Sequence, residues 1–180
     1  MRRLLVPEGM TGCYHVVSRV VDRRIVLGGE EKAHFLRLLK GYAVFCGVRL
    51  LAWCLMGNHF HLLVEVPPFE RGSLTSAELL RRLRAVYNTK QVAEVRRMLE
   101  ACGATDAERR RVLDRYAYRM GSLSEFMKTL LQRFTRWFNR RQKRDGYLWS
   151  SRFRSVVVEN GEGNAVEFGG DSRYGLIPRK

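Results

Sequence analysis

At 180 residues and 21.0 kDa the chain has single-domain length, enough to bury a core. Its 46% hydrophobic content includes no run approaching a membrane span, and "MRRLLVPEGM" lacks the apolar stretch and cleavage site of a secretory signal. With 33 Lys+Arg against 18 Asp+Glu, the net charge of +15 and pI ≈ 10.4 point to a polyanion, nucleic acid first, bound in a salt-dependent way in the cytoplasm, on the nucleoid.

"GCYHVVSRVVDRRIVL" (12–27) alternates Tyr14, Val16 and Ser18 against His15, Val17 and Arg19, which predicts a strand. "GEEKAHFLRLLKGYAVFC" (29–46) opens on two glutamates and repeats Phe35, Leu38, Leu39 and Tyr42 at helical spacing, with Gly47 as its stop. "VRLLAWCLM" (48–56) reads as a buried strand, Gly57-Asn58 as a turn, and "HFHLLVEV" (59–66) as the returning strand. Residues 70–121 read as two or three charged helices, capped at Thr75 or Ser76 and at Thr105 or Asp106 and ending in Gly103 and Gly121. A last helix spans 122–144, with Ser122 and Glu125 in capping-box spacing and a stripe through Phe126, Leu130, Phe134, Trp137 and Phe138. Residues 146–160 are strand-like, and 161–180 form an irregular, glycine-rich tail. The order predicts an α+β protein: an antiparallel sheet with helices packed on one face. Cys13, Cys46, Cys54 and Cys102 lack any CxxC spacing and read as reduced, mostly buried thiols.

Two groups of residues carry chemistry. In a strand, residues i and i+2 share a face, so His59 and His61 present two imidazoles on one side. The plain alternative is the polar side of a half-buried strand. As a metal site the pair is half complete, and with an oxygen donor it would suit Mg²⁺ or Mn²⁺, or Zn²⁺. The second group lies in 122–154, where nine basic residues face two acidic ones. Arg133, Arg136, Arg140, Arg141, Lys143, Arg144, Arg152 and Arg154, with Trp149 among the interleaved rings, offer guanidinium groups for phosphates and aromatic faces for bases. That pattern fits single-stranded or hairpin nucleic acid.

"YHVVSRVVDRR", "LLAWCLMGNHFHLLVEVP" and "SEFMKTLLQRFTRWFNRRQKRDGYLWSSRFRSVVVE" occur in that order. Together they resemble the IS200-like, REP-associated branch of the tyrosine transposases, in the HUH endonuclease superfamily, over about residues 10–160. The resemblance implies a ferredoxin- or RRM-like sheet with helices on one face, a domain over 1–160 and a helical insertion at about 70–121. It implies that His59 and His61 hold Mg²⁺ or Mn²⁺, with Asn139 as the completing ligand. It further implies hairpin-bearing single-stranded DNA as substrate, and a helix-borne tyrosine that forms a 5′-phosphotyrosine link. Such a protein would act as a monomer or homodimer.

Two departures stand out. Where relatives read "RYTRYFN" this chain reads "RFTRWFN", so Phe134 occupies the expected nucleophile position and Trp137 the neighbouring alternative, neither with a hydroxyl. Tyr147 is the nearest substitute after that helix, while Tyr116 and Tyr118 precede it. After "VVVE" the tail does not match the usual continuation, as in a truncated or frame-shifted remnant. The expectation is a DNA strand transferase or, with the nucleophile lost, a protein that keeps the fold and only binds. An RNA-binding sheet is the weaker third reading, because histidines sit where stacking rings would be useful.

Overall fold

The computed structural model describes residues 9–101 and 106–158 and the backbone of Tyr174–Leu176. The elements run β1 (Gly12–Arg19), α1 (Gly29–Cys46), β2 (Arg49–Leu55), β3 (His59–Val66), α2 (Ser76–Leu83), α3 (Thr89–Ala101), α4 (Asp106–Ala117), α5 (Leu123–Arg141), β4 (Arg154–Val157) and β5 (Tyr174–Leu176). In space the strands lie β4-β1-β3-β2-β5, each antiparallel to its neighbours. That order, with α1 and α5 as the two crossovers, is the ferredoxin-like βαββαβ arrangement. Helices α2, α3 and α4 are inserted between β3 and α5.

Local chemistry sets the boundaries. Gly47 ends α1 at φ 71°, where its N–H returns to the Ala43 and Val44 carbonyls. This left-handed C-cap suits glycine alone. The Thr75 and Ser122 hydroxyls accept the Glu78 and Glu125 N–H groups at 3.2 and 3.3 Å, starting α2 and α5. Three helices form over the stretch 70–121, within the expected two or three, with a break before α3. There Asn88 and Gln91 exchange side-chain and backbone hydrogen bonds at 2.9 and 3.3 Å, a capping box written in the sequence as "NTKQ". Gly103, Thr105 and Cys102 lie outside the described residues.

One face of the sheet carries the core. Phe60, Leu62, Val64 and Val66 of β3 and Val16 of β1 point into it and are buried. Phe35 of α1 and Phe134 of α5 meet them: Phe35 lies 4.8 Å from Phe60 and 5.2 Å, edge-on, from Phe134. Leu79, Leu83, Val92, Val95, Leu99 and Leu113 extend the same cluster into α2–α4. Cys13 and Cys54 are buried on the opposite face, outside that cluster, and Cys46 lies within it. Burial pushes the Cys46 thiol up to about 12, leaving it protonated and inert.

The strand-like segment after α5 is only partly a strand. Residues 146–152 form a strap along the end of β1, and regular pairing begins at Arg154. The strap is tied by Val21 N–H to the Leu148 carbonyl at 2.9 Å and Ser150 N–H to the Arg19 carbonyl at 2.9 Å. The Trp149 indole N–H donates to the Leu131 carbonyl of α5 at 3.4 Å. Of the tail, Tyr174–Leu176 pairs with β2 and the rest lies outside the described residues.

Candidate functional site

Register decides which side chains meet on the second face. Antiparallel pairing sets Arg19 opposite His59, Val17 opposite His61 and His15 opposite Leu63. His15 and His61 are therefore diagonal neighbours on one face. His15 Nε2 lies 2.9 Å from His61 Nδ1, with the rings stacked at 5.1 Å and 13°. The His59 ring stands edge-on to His61 at 5.2 Å. The result is a row of three imidazoles.

The tautomer of His59 follows from its surroundings. The Arg23 carbonyl can only accept, so the Asn58 amide turns its NH₂ toward it, at 2.8 Å. The Asn58 oxygen then faces His59 Nδ1 at 2.7 Å and accepts its proton. The lone pair is left on Nε2. Burial lowers the His59 and His61 pKa values below the ordinary 6.5; Arg19 lowers His59 further, and His15, His59 and Arg19 lower His61 further. Burial lowers His15 as well. All three are neutral near pH 7, as metal ligation requires.

His15 and His61 line a cleft of about 610 Å³ with Arg19, Arg23, Arg152 and Arg154 in its walls and Asp22 as its acid. The turn that supplies Asp22 and Arg23 is left-handed at both residues, φ 55° and 53°. Four guanidinium groups against one carboxylate give the cleft a net positive charge.

The described residues fit a divalent ion in part. His59 and His61 offer two adjacent imidazoles, the first with its Nε2 fixed outward. Among the described residues no cluster of three or more His, Cys, Asp or Glu has a metal-holding arrangement. Asn139, the expected completing ligand, lies on α5, and its side-chain oxygen is buried with no hydrogen-bond partner among the described residues. Its helix packs through Phe134 and Phe138 onto the core face, and its amide donates to the Gly146 carbonyl at 2.9 Å, bracing the loop after α5.

Phe134 is fully buried, 5.9 Å from Trp149 and edge-on to Phe35. A hydroxyl there would sit inside the core, with the sheet between it and the histidines. Tyr147 is 88% exposed but belongs to a second cleft, between α5 and the strap.

Of the nucleic-acid residues expected from sequence, the fold brings Arg152 and Arg154 to the histidines. Arg136 lines the second cleft. Arg133, Arg140 and Lys143 are exposed on α5 and the loop after it, Arg133 lying over Tyr87 at 5.9 Å. Arg141 pairs with Glu30 of α1. Arg144 donates to the Tyr147 carbonyl at 2.9 Å. Trp149 is committed to Phe60 and Phe134 rather than to solvent. His15, Arg19, Arg23 and Asn58 were not singled out from sequence. Strand alternation held the signal for His15 and Arg19, but only the β1–β3 register makes it legible.

The fold is an α+β protein with a ferredoxin-like sheet that carries histidines beside an arginine-lined cleft. The family described as "Transposase IS200 like" matches residues 10–101, just over half the chain and inclusive of all three histidines. The chain belongs to the IS200-like transposase family. Among solved structures, one described as a REP-associated tyrosine transposase bound to a REP hairpin is similar at 12% identity and a TM-score of 0.45. The match covers 89% of this chain and 63% of that one, so the chain spans less than two thirds of that structure's length. Comparison with curated proteins gave no match.

Proposed function

We propose that this transposase-family chain binds hairpin-bearing single-stranded DNA across the histidine face and sets a phosphodiester over His59 and His61. The observation that carries the reading is the pair of neutral imidazoles beside a cleft with four arginines and one aspartate. His59 and His61 would hold Mg²⁺ or Mn²⁺, which supplies Lewis acidity to a phosphate oxygen when bound. His15 orients His61 through its ring nitrogen, and Asn58 orients His59. Arg19, Arg23, Arg152 and Arg154 neutralise the flanking phosphates and fix the strand's path. In strand cleavage, a tyrosine oxygen attacks phosphorus and the bond to the 3′ oxygen breaks. The 5′-phosphate stays on the phenol oxygen, the phenolic proton passes to the leaving 3′ oxygen, and the upstream fragment departs with a 3′-hydroxyl.

A second reading, binding without cutting, is favoured by one feature: among the described residues no tyrosine lines the histidine cleft. Incubation with single-stranded hairpins and Mn²⁺, followed by intact-protein mass spectrometry, separates the two. A mass gain of one oligonucleotide fragment supports cleavage. A gel shift without that gain supports binding alone. Hairpins that neither shift nor react overturn both.

A further inference from the structure

The inserted helices α2–α4 enclose two adjoining hollows, and no residue lining either one also lines the histidine cleft. The first, of about 340 Å³, is floored by the buried Leu83, Val92 and Val95 and walled by Tyr87 and Tyr116. The second, of about 480 Å³, shares Tyr87 and Val92 with it and adds Arg84, Thr89 and Arg96. We propose that the two together form a site for a free nucleotide, with the base in the first hollow and the phosphates in the second.

The first hollow suits a flat heteroaromatic ring. Small-ligand sites run from roughly 300 to 1,000 Å³, are mostly apolar and carry a few placed polar groups. Tyr87 is held in position, its N–H donating to the Leu83 carbonyl at 2.9 Å and its ring edge-on to Phe45 at 6.4 Å. Gln91 supplies direction. The Asn88 backbone N–H can only donate, so the Gln91 amide turns its oxygen toward it, at 3.3 Å. Its NH₂ has no partner among the described residues and is left to donate to an acceptor in the hollow. Glu94, three residues along α3, lines the same hollow as an acceptor, its charge met by Arg97 at 2.5 Å. A donor and an acceptor side by side match the edge of a nucleobase, which offers both.

The second hollow supplies the charge. Arg84 and Arg96 line it and no acid does. Their neighbours Arg82 and Arg97 pair with Glu78 and Glu94, whereas neither of these two guanidinium groups pairs with a carboxylate among the described residues. Lys90, lining the first hollow, adds a third cation. Guanidinium groups with no acid beside them are suited to phosphate. A bare polyanion would leave the two rings and the Gln91 amide unused, and a neutral apolar ligand would leave the arginines unused. A base joined to phosphates uses all of them.

The site is independent of the hairpin reading above, and either can fail alone. The test is isothermal titration calorimetry of the full chain with ATP and GTP, alongside adenosine, guanosine and inorganic tripolyphosphate. At least one nucleoside triphosphate is expected to bind more tightly than its nucleoside and than tripolyphosphate. Gln91→Glu keeps the oxygen that caps α3 and removes the donor. It should weaken that triphosphate roughly tenfold or more, as for a lost hydrogen bond, and leave the urea midpoint in place. Arg84→Gln and Arg96→Gln should weaken the triphosphate and leave the nucleoside unaffected, while Arg154→Gln, in the histidine cleft, should change neither. Tripolyphosphate that binds as tightly as ATP and GTP overturns the inference, as does a loss on Arg154→Gln equal to that on Arg96→Gln. Unchanged affinity in Gln91→Glu, or no binding of either triphosphate, overturns it as well. A single-stranded oligonucleotide whose own binding weakens with Gln91→Glu would assign the hollows to a polynucleotide and overturn the free nucleotide.

Discussion

The two faces of the sheet are drawn from the same strands, residue by residue, and follow opposite rules. On the first, Phe60, Leu62 and Val64 meet Phe35 and Phe134, and the described contacts are apolar. On the second, the alternate residues His15, Arg19 and His61 line a polar cleft, with the His59 ring edge-on to His61. Period-two alternation thus separates what keeps the protein folded from what handles its ligand. A substitution should tell which face it lies on by what it changes.

The largest effect is expected from Phe134, on the first face. Phe134→Ala should cost about 3–5 kcal/mol of stability, from transfer and cavity terms. Phe134→Tyr, which places a hydroxyl where no partner waits, should cost about 1–3 kcal/mol and create no cleavage. Urea unfolding measures both. A covalent DNA adduct formed by Phe134→Tyr would break the two-face picture outright. Next comes His59→Ala, which should reduce Mn²⁺-dependent cleavage about a hundredfold or more. Hairpin affinity and urea midpoint should hardly move, and a matched loss of affinity would remove the assigned ligand role. Third, Arg154→Gln should weaken binding of every sequence alike and lower the salt slope by about one counterion, read from affinity at several salt concentrations.

The smallest effect is the pH dependence of the metal-free protein. His15, His59 and His61 on the second face and His34 on the first all have lowered pKa values, burial being the largest cause for each. Below 6.5 the unfolded chain takes up protons that the folded chain refuses, so stability falls as pH drops through that window. All four imidazoles are partly exposed, so the slope should be shallow. Comparing urea midpoints of His34→Gln and His61→Gln between pH 7 and 5 sharpens the comparison. A slope abolished by His34→Gln alone would move the effect to the first face, where His34 stacks on Trp137 at 3.9 Å.

Much of this was legible in the sequence. The bounds of α1 and β3 match their patterns, because a Gly47 stop and a turn at Gly57-Asn58 are local signals. His59 and His61 were readable from spacing, since two residues apart in one strand fixes their face without reference to any other segment. His15 was not, because its place beside His61 depends on β1–β3 register. The surroundings of Asn139 and Phe134 were illegible for a related reason. Helical periodicity shows that α5 has an apolar stripe, but not which face of the sheet receives it. Phe134 sits within that stripe, buried against Phe35. The strap was read as strand because its alternation is real. Its pairing is displaced by the α5 contacts of Trp149 and Asn139.

The left-handed turn at Asp22 and Arg23 sets two demands against each other. Backbone at φ 55° and 53° suits glycine, and a larger residue there costs on the order of 1–3 kcal/mol. In the proposed function, however, the cleft uses the charge that Arg23 carries. Glycine at position 23 would make a more relaxed protein and a poorer trap for phosphate. The chain keeps the arginine and braces the turn from across the hairpin, through the Asn58 amide. Under the proposed function, stability and ligand capture therefore make opposite demands on this one residue. Variants that gain melting temperature by relaxing this turn should lose their grip on DNA.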